Sequence, residues 1–255
     1  MKIDLSNKLS LITGAGRGIG ESIAHSLVLS GSRIIAISRN AKSLDILKKK
    51  IGNDHYFLSC DLEHKDSALK VINFLKKKKL NPNIIINNVG GNLGITDPLA
   101  SSSEFKKVFH LNLNIAIDIN RFVIKKMKKN KWGRIINISS ISALENQGPP
   151  SYCAAKAALN AYTRSVGRYI SKDNIIMTSI MPGAVKTKGG YWDNKWKTNK
   201  KFVKNYLKNR MAINRFGTTK EISNFVIFLS SENASFCPGS CFLVDGGQGR
   251  LFNEI

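Results

Sequence analysis

Tyr152 and Lys156 stand four residues apart in SYCAAKAALNAYTRSVGRYI, a stretch of helical period, so a phenol and an ammonium share one helix face. A free phenol titrates near ~10, and acid–base work at neutral pH requires its anion to be stabilised, which an adjacent positive charge can do. Just upstream, the strand-like run RIINISS ends in the hydroxyls of Ser139 and Ser140. Such a hydroxyl can orient a carbonyl and stabilise the charge that develops on its oxygen. A tyrosine and a lysine one turn apart are common by chance, so the pair gains meaning only from what surrounds it.

A second group of residues is suited to an anion. Thr13-Gly14-Ala15-Gly16-Arg17-Gly18-Ile19-Gly20 follows a strand-like run and opens a helical one. Glycine permits the tight turn and lets the backbone approach a pyrophosphate, while the helix start offers unpaired N–H groups and a positive dipole end. At the end of the next strand-like run stand Ser38 and Arg39, where a carboxylate would mark a preference for a free ribose hydroxyl. Arg39, with Arg17 in the glycine turn, can instead grip a 2′-phosphate through charge-assisted hydrogen bonds, which predicts NADP(H) over NAD(H).

Positioning both groups requires alternating strands and helices. Strands are predicted at Leu9–Thr13, Arg33–Ser38, His55–Cys60, Ile84–Asn87, Arg134–Ser139, Ile175–Met181 and Cys241–Val244. Helices are predicted at Ile19–Ser30, Ser43–Lys50, Asp66–Lys78, Glu104–Lys129, Ser151–Ser171 and Thr219–Ser230. The strands are apolar on both faces, as parallel strands covered by crossover helices must be. The expected fold is therefore α/β, a doubly wound Rossmann-type seven-stranded parallel sheet with helices on both faces, forming one domain over residues 1–255. The polar stretch Lys186 to Asn214, carrying Trp192, Trp196, Phe202 and Tyr206, interrupts this rhythm and is expected to act as a substrate lid.

The spacing Thr-Gly-x-x-x-Gly-x-Gly, with Tyr152 and Lys156 behind it, resembles the short-chain dehydrogenase/reductase family, and the resemblance runs from Leu5 to Gln248. Asp61, in Cys60-Asp61-Leu62, matches the acidic residue that bonds the adenine. Asn87-Asn88-Val89-Gly90 matches an Asn-Asn-Ala-Gly element, with Val89 in place of alanine and its extra methyls set to crowd the cofactor slightly. Asn112, in VFHLNLN, matches a fourth catalytic residue whose local helix distortion holds a water between lysine and solvent. Pro182-Gly183-Ala184-Val185 with Thr187 matches the nicotinamide-binding turn, and Lys156 is implied to hold the nicotinamide ribose as well. For the serine, counting back from Tyr152 against the family pattern selects Ser139, whereas counting forward from Gly133-Arg134 selects Ser140. Strand register is the stronger constraint, because a slip of one residue turns a side chain to the other face, and it favours Ser140. Arg215-Phe216-Gly217 and Val244-Asp245-Gly246-Gly247 match elements that in this family commonly form part of a tetramer interface, which implies a homotetramer.

Composition bounds the rest. Hydrophobic residues at 42% and charged residues at 22% suit a soluble globular chain of 255 residues. No run approaches the ~20 apolar residues of a membrane span, and MKIDLSNKLSLITG enters the first strand without a cleavable apolar segment, so a cytoplasmic location is expected. Cys60, Cys153, Cys237 and Cys241 lack metal-ligand spacing and read as free thiols, with no metal implied. The formal net charge of +23 favours anionic partners. Its lysine runs, Lys48 to Lys50, Lys76 to Lys79 and Lys125 to Lys131, nevertheless fall where helices should end, so they read as solvated helix termini rather than a specific nucleic-acid surface.

The expected function is hydride transfer between a nicotinamide and a carbonyl or alcohol carbon. The nearest general pattern is that of 3-oxoacyl-carrier-protein reductases, whose carrier-bound substrate would suit Lys131, Lys172 and a basic lid. Two alternatives remain open: a reductase or dehydrogenase of a sugar or sugar acid in surface-polysaccharide biosynthesis, and a non-catalytic NADP-binding sensor or scaffold.

Overall fold

Isoleucine-rich runs that are apolar on both faces are stable only where both faces are covered. In the computed structural model, which describes residues 3–250, seven such runs form one parallel sheet. The strands are β1 (Leu9–Thr13), β2 (Arg33–Ser38), β3 (Tyr56–Ser59), β4 (Ile84–Asn87), β5 (Gly133–Ile138), β6 (Ile175–Pro182) and β7 (Cys241–Val244), in the spatial order β3-β2-β1-β4-β5-β6-β7. The expected doubly wound sheet is present. β3 is shorter than expected at both ends, and β5 begins and ends one residue earlier.

Alternation along each strand divides the core into two layers. Ile34, Ala36, Ile84, Ile86, Ile136 and Ile138 pack on one face with Ile23 and Leu27 of α1 (Gly18–Leu29), Leu44 and Leu47 of α2 (Ala41–Ile51), and Val226 and Leu229 of α9 (Thr219–Leu229). Ile35, Ile37, Ile85, Ile135 and Met177 pack on the other face. Their partners there include Val71 and Leu75 of α3 (Ser67–Lys77), Ile119 and Val123 of α5 (Ile115–Asn130), and Ile170 at the end of α6 (Pro150–Ile170). The lysine runs close α2, α3 and α5, where cations oppose the negative end of the helix dipole.

The long helix expected over Glu104–Lys129 is divided. An α-helix, α4 (Ser102–Phe109), starts at a capping box between Ser101 and Glu104, passes into a π-helical turn over His110–Asn114, and continues as α5. The stretch expected to be an irregular lid holds two short helices, α7 (Tyr191–Thr198) and α8 (Lys200–Arg210). Asn199 caps α8 by accepting from the Phe202 backbone N–H at 3.0 Å. Trp192 of α7 ties the segment inward, its ring centroid 4.2 Å from that of Tyr206 and 5.1 Å from that of Phe216. Among the described residues no helix is long and apolar enough to cross a membrane.

The strand order turns back between β1 and β4: the chain moves outward to β2 and β3, then returns to β4 on the other side of β1. Loops leaving the carboxyl ends of β1 and β4 therefore diverge, and a crevice opens between them.

Candidate active site

The glycine turn after β1 and the Asn88–Gly91 turn after β4 form the walls of this crevice, a cleft of about 840 Å³. Gly14 and Gly18 adopt φ of +67° and +58°, which side chains rarely tolerate. A Cβ on Gly20 would strike the Gly14 carbonyl and stand 2.6 Å from Asn88 Nδ2, and one on Gly16 would strike the hydroxyls of Ser38 and Ser43. Asn88 pins the turn, its Nδ2 donating to the Thr13 carbonyl at 2.9 Å and to that of Gly14 at 3.1 Å. Helix α1 has Arg17 as its N-cap residue and no side-chain cap, and its first residues, Gly18 to Gly20, line the cleft, where a helix start suits an anion. A backbone cradle of this kind, closed to any Cβ, fits a dinucleotide pyrophosphate. Gly20→Ala is expected to destabilise the fold by about 1–3 kcal/mol through overpacking and to abolish nucleotide binding, measured by urea melts and nucleotide titration.

Of the residues expected to contact cofactor, Gly14, Gly16, Arg17, Gly18, Ile19, Gly20, Ser38, Arg39, Asp61, Leu62, Asn88, Gly90 and Thr187 all line the cleft. Arg17 is exposed. Arg39 is paired with Glu63, Nη1 to Oε1 at 2.6 Å, with both side chains substantially exposed. The sequence reading missed Glu63, which also lines the cleft and brings a carboxylate to the adenosine end. Asp61 accepts from the Glu63 backbone N–H at 3.0 Å and thereby fixes that corner.

Asn112, Ser140, Tyr152, Lys156, Pro182, Gly183 and Val185 lie beyond those walls, and Gly90 joins the two regions. A Cβ on Gly90 would stand 2.6 Å from Asn112 Oδ1 and 3.0 Å from Lys156 Nζ. Asn112 sits in the π turn, buried to 2% exposure, donating from Nδ2 to the carbonyls of Val108 and Gly91 at 2.8 Å and accepting at Oδ1 from Gly91 N at 3.1 Å. Its amide takes a carbonyl that a regular helix would have bonded four residues on, and this accompanies the widened turn. Lys156, also 2% exposed, donates from Nζ to the Ile138 carbonyl at 2.8 Å, and the ammonium lies 5.6 Å from the Tyr152 ring centroid.

The two serines stand in different surroundings. Ser139 is buried and donates to the Lys156 backbone carbonyl at 3.3 Å, away from the phenol. Ser140 is partly exposed, its oxygen accepts from Ser142 N at 3.1 Å, and its hydroxyl acts on the Tyr152 phenol to lower its titration against the effect of burial. After β6, Gly217 N–H donates to the Ala184 carbonyl at 2.9 Å and Lys186 N–H to that of Gly217 at 3.1 Å, holding the Pro182–Thr187 turn beside α1. A Cβ on Gly18 would stand 3.3 Å from Thr187 Cγ2.

The phenol was expected to be acidified by the lysine together with an oxidised nicotinamide, and the chain's own groups act on it in the other direction. Burial pushes Tyr152 up to about 12, only partly opposed by the hydrogen bond with Ser140 and reinforced by Cys153. Burial likewise pulls Lys156 down to about 7. Desolvation dominates at both groups, so the phenol is held protonated and the ammonium is poised to titrate near neutrality. An oxidised nicotinamide would bring the positive charge that the lysine alone does not supply.

A dinucleotide cleft at a topological switch point, ending against a serine, a tyrosine and a buried lysine, defines a Rossmann-type NAD(P)-dependent oxidoreductase acting at a CH–OH or carbonyl carbon. The family model for short chain dehydrogenase matches residues 8–198, and the chain belongs to that family. A 3-oxoacyl-[acyl-carrier-protein] reductase of Rickettsia felis is 34% identical over 247 residues, covering 96% of this chain and 98% of its own. Among solved structures, a 3-oxoacyl (acyl-carrier-protein) reductase of Agrobacterium tumefaciens with NADP bound superposes with a TM-score of 0.88 at 25% identity, covering 96% of this chain and 95% of the other. L-sorbose reductase of Gluconobacter frateurii, complexed with NADPH and L-sorbose, superposes with a TM-score of 0.90 at 27% identity, covering 99% and 100%.

Proposed function

We propose that this enzyme is an NADP(H)-preferring reductase of 3-oxoacyl thioesters, with Ser140, Tyr152, Lys156 and Asn112 as its working groups. The observation that carries the reading is the buried Lys156 ammonium 5.6 Å from the Tyr152 ring and, with Asn112, against Gly90 of the nucleotide cleft. It is joined by the full-length likeness to carrier-protein reductases. The nicotinamide, when bound, supplies hydride to the carbonyl carbon. Ser140 polarises the carbonyl oxygen and Tyr152, held protonated by burial, delivers the proton to it. Lys156 holds the ribose and recharges the phenol, and the π turn at Asn112 keeps open a route for a proton from solvent. Residues 1–255 act as one domain and 186–214 as its lid. On that lid the lysines at 195, 200, 201 and 204 suit an acidic carrier.

The assembly is a homotetramer in the cytoplasm, through the faces containing Phe216 and Val244. Lys131 and Lys172 remain candidates for carrier contact, although Lys131 is held by Asp173 at 3.1 Å and is not wholly free to engage a partner. A keto-sugar substrate is the second reading. The likeness to L-sorbose reductase favours it. Initial rates of NADPH oxidation with 3-oxoacyl thioesters, keto sugars and simple ketones separate the two. The thioesters should give the highest kcat/KM, and a higher value for a keto sugar overturns the assignment.

For the cofactor, Arg17→Ala combined with Arg39→Ala should lower kcat/KM for NADPH by roughly tenfold or more, from the loss of charge-assisted phosphate bonds, while leaving NADH nearly unchanged. Equal losses with both nucleotides would remove the basis for the preference.

A further inference from the structure

Three segments around Tyr152 meet on one side chain that the reaction scheme above does not use. Gln248 is 2% exposed, and both ends of its amide are engaged. Its Oε1 accepts from Ala184 N–H at 2.7 Å, in the turn after β6. Its Nε2 donates to Gln147 Oε1 at 2.5 Å and to the Tyr206 hydroxyl at 2.8 Å, and Tyr206 donates onward to Gln147 Oε1 at 3.4 Å. Gln147 belongs to the loop that leads into α6, and a Cβ on the next residue, Gly148, would stand 3.3 Å from Tyr152 Cδ1. Tyr206 belongs to α8. A parallel tie joins the same loop and helix, Glu145 Oε2 to Arg210 Nη2 at 3.4 Å, and Gln147 Nε2 donates to that Glu145 oxygen at 2.5 Å.

We propose that Gln248 is a positioning residue, the latch by which the C-terminal segment holds the α7–α8 lid closed against the 144–149 loop and sets both relative to the turn after β6. The proposal rests on the oxidoreductase reading and on 186–214 acting as its lid. An amide suits the position because it accepts at one end and donates twice at the other. A leucine there would leave the Ala184 N–H without its acceptor and Gln147 Oε1 with only the longer bond from Tyr206, and a glutamate would satisfy Ala184 while presenting an acceptor to Gln147 Oε1. The hydroxyl, phenol and ammonium that carry out the chemistry touch none of these bonds. Loosening the latch should therefore weaken substrate capture and leave the chemical step intact, which separates KM from kcat.

Gln248→Glu, Gln248→Leu and Tyr206→Phe test this in the full chain. With a short 3-oxoacyl thioester and saturating NADPH, both Gln248 variants should raise KM about tenfold, the effect of losing roughly one buried hydrogen bond to closure, with kcat within about twofold. Tyr206→Phe should raise KM less, and combining it with Gln248→Leu should add little, because the two share one contact. Limited trypsin digestion needs no substrate. Cleavage after Lys200, Lys201 and Lys204 on α8 should quicken several-fold in the Gln248 variants while the melting temperature and the cleavage pattern elsewhere stay as in the parent. Unchanged cleavage of α8, or faster cleavage everywhere with a lowered melting temperature, overturns the latch. A parent enzyme inert toward every carbonyl tried would defeat the functional reading alone, and the digestion would still decide the latch.

Discussion

Tyr152→Phe should cut turnover by roughly a thousandfold, within the range spanned by loss of a positioned general acid, while the protein stays folded and binds nucleotide within a few-fold of the parent. The substitution removes one oxygen. The ring keeps its place beside Gly148, and Ser140 keeps its bond from Ser142 N–H. What disappears is the hydroxyl that Ser140 orients and that burial holds protonated, its titration pushed up to about 12. A proton donor that remains protonated through neutrality is matched to the reductive direction, where the developing alkoxide must be quenched as hydride arrives. NADPH oxidation measured beside a nucleotide-binding titration checks this, and retention of a tenth or more of parental turnover would remove Tyr152 from the role assigned to it.

Lys156→Met should cost activity about a hundredfold or more and yet raise the melting temperature of the nucleotide-free protein at pH 6, by on the order of 5 °C. The ammonium is buried with a single backbone acceptor, the Ile138 carbonyl, and burial pulls it from its ordinary 10.5 to about 7. In a fold that holds this lysine below its unfolded value, the unfolded chain binds the extra proton between about pH 7 and pH 10.5. Stability of the parent therefore rises with pH across that window, and the whole desolvation cost is felt below it. At about 1.4 kcal/mol per pH unit the depression amounts to several kcal/mol, more than the one hydrogen bond that methionine forfeits. The variant's thermal advantage should shrink steadily from pH 7 to pH 10. Melting curves at several pH values decide the matter, and a difference independent of pH would show that Lys156 does not titrate in that range.

Much of the architecture was legible in the chain. Ile34 to Ile37 and Ile84 to Ile86 are apolar at every position, which only a sheet covered on both faces accommodates, and β1, β2, β4 and β7 begin and end where that patterning places them. The glycine turn was readable because its backbone conformations exclude other residues. The split of the helix at His110–Asn114 was not readable from periodicity, because a π turn shifts the hydrophobic stripe by only a fraction of a turn. The family resemblance at Asn112 pointed to a distortion there, whereas apolar spacing alone gave continuous helix. Helices α7 and α8 were hidden by their polar composition, although Asn199 was an available N-cap signal.

The amino-acid order by itself determined which residues could do chemistry and on which edge of which strand they stand, because strand and helix periods are local properties of the chain. Only the tertiary structure shows the different surroundings of Ser139 and Ser140, since these depend on which groups of other elements pack beside each hydroxyl. It also set Glu63 against Arg39 and gathered Gln147, Tyr206 and Gln248 into one hydrogen-bonded group. The upward push of burial on the phenol belongs there too. Proximity of charges along a helix can be read from spacing, but desolvation depends on everything packed around the pair, and at Tyr152 and Lys156 it is the larger effect.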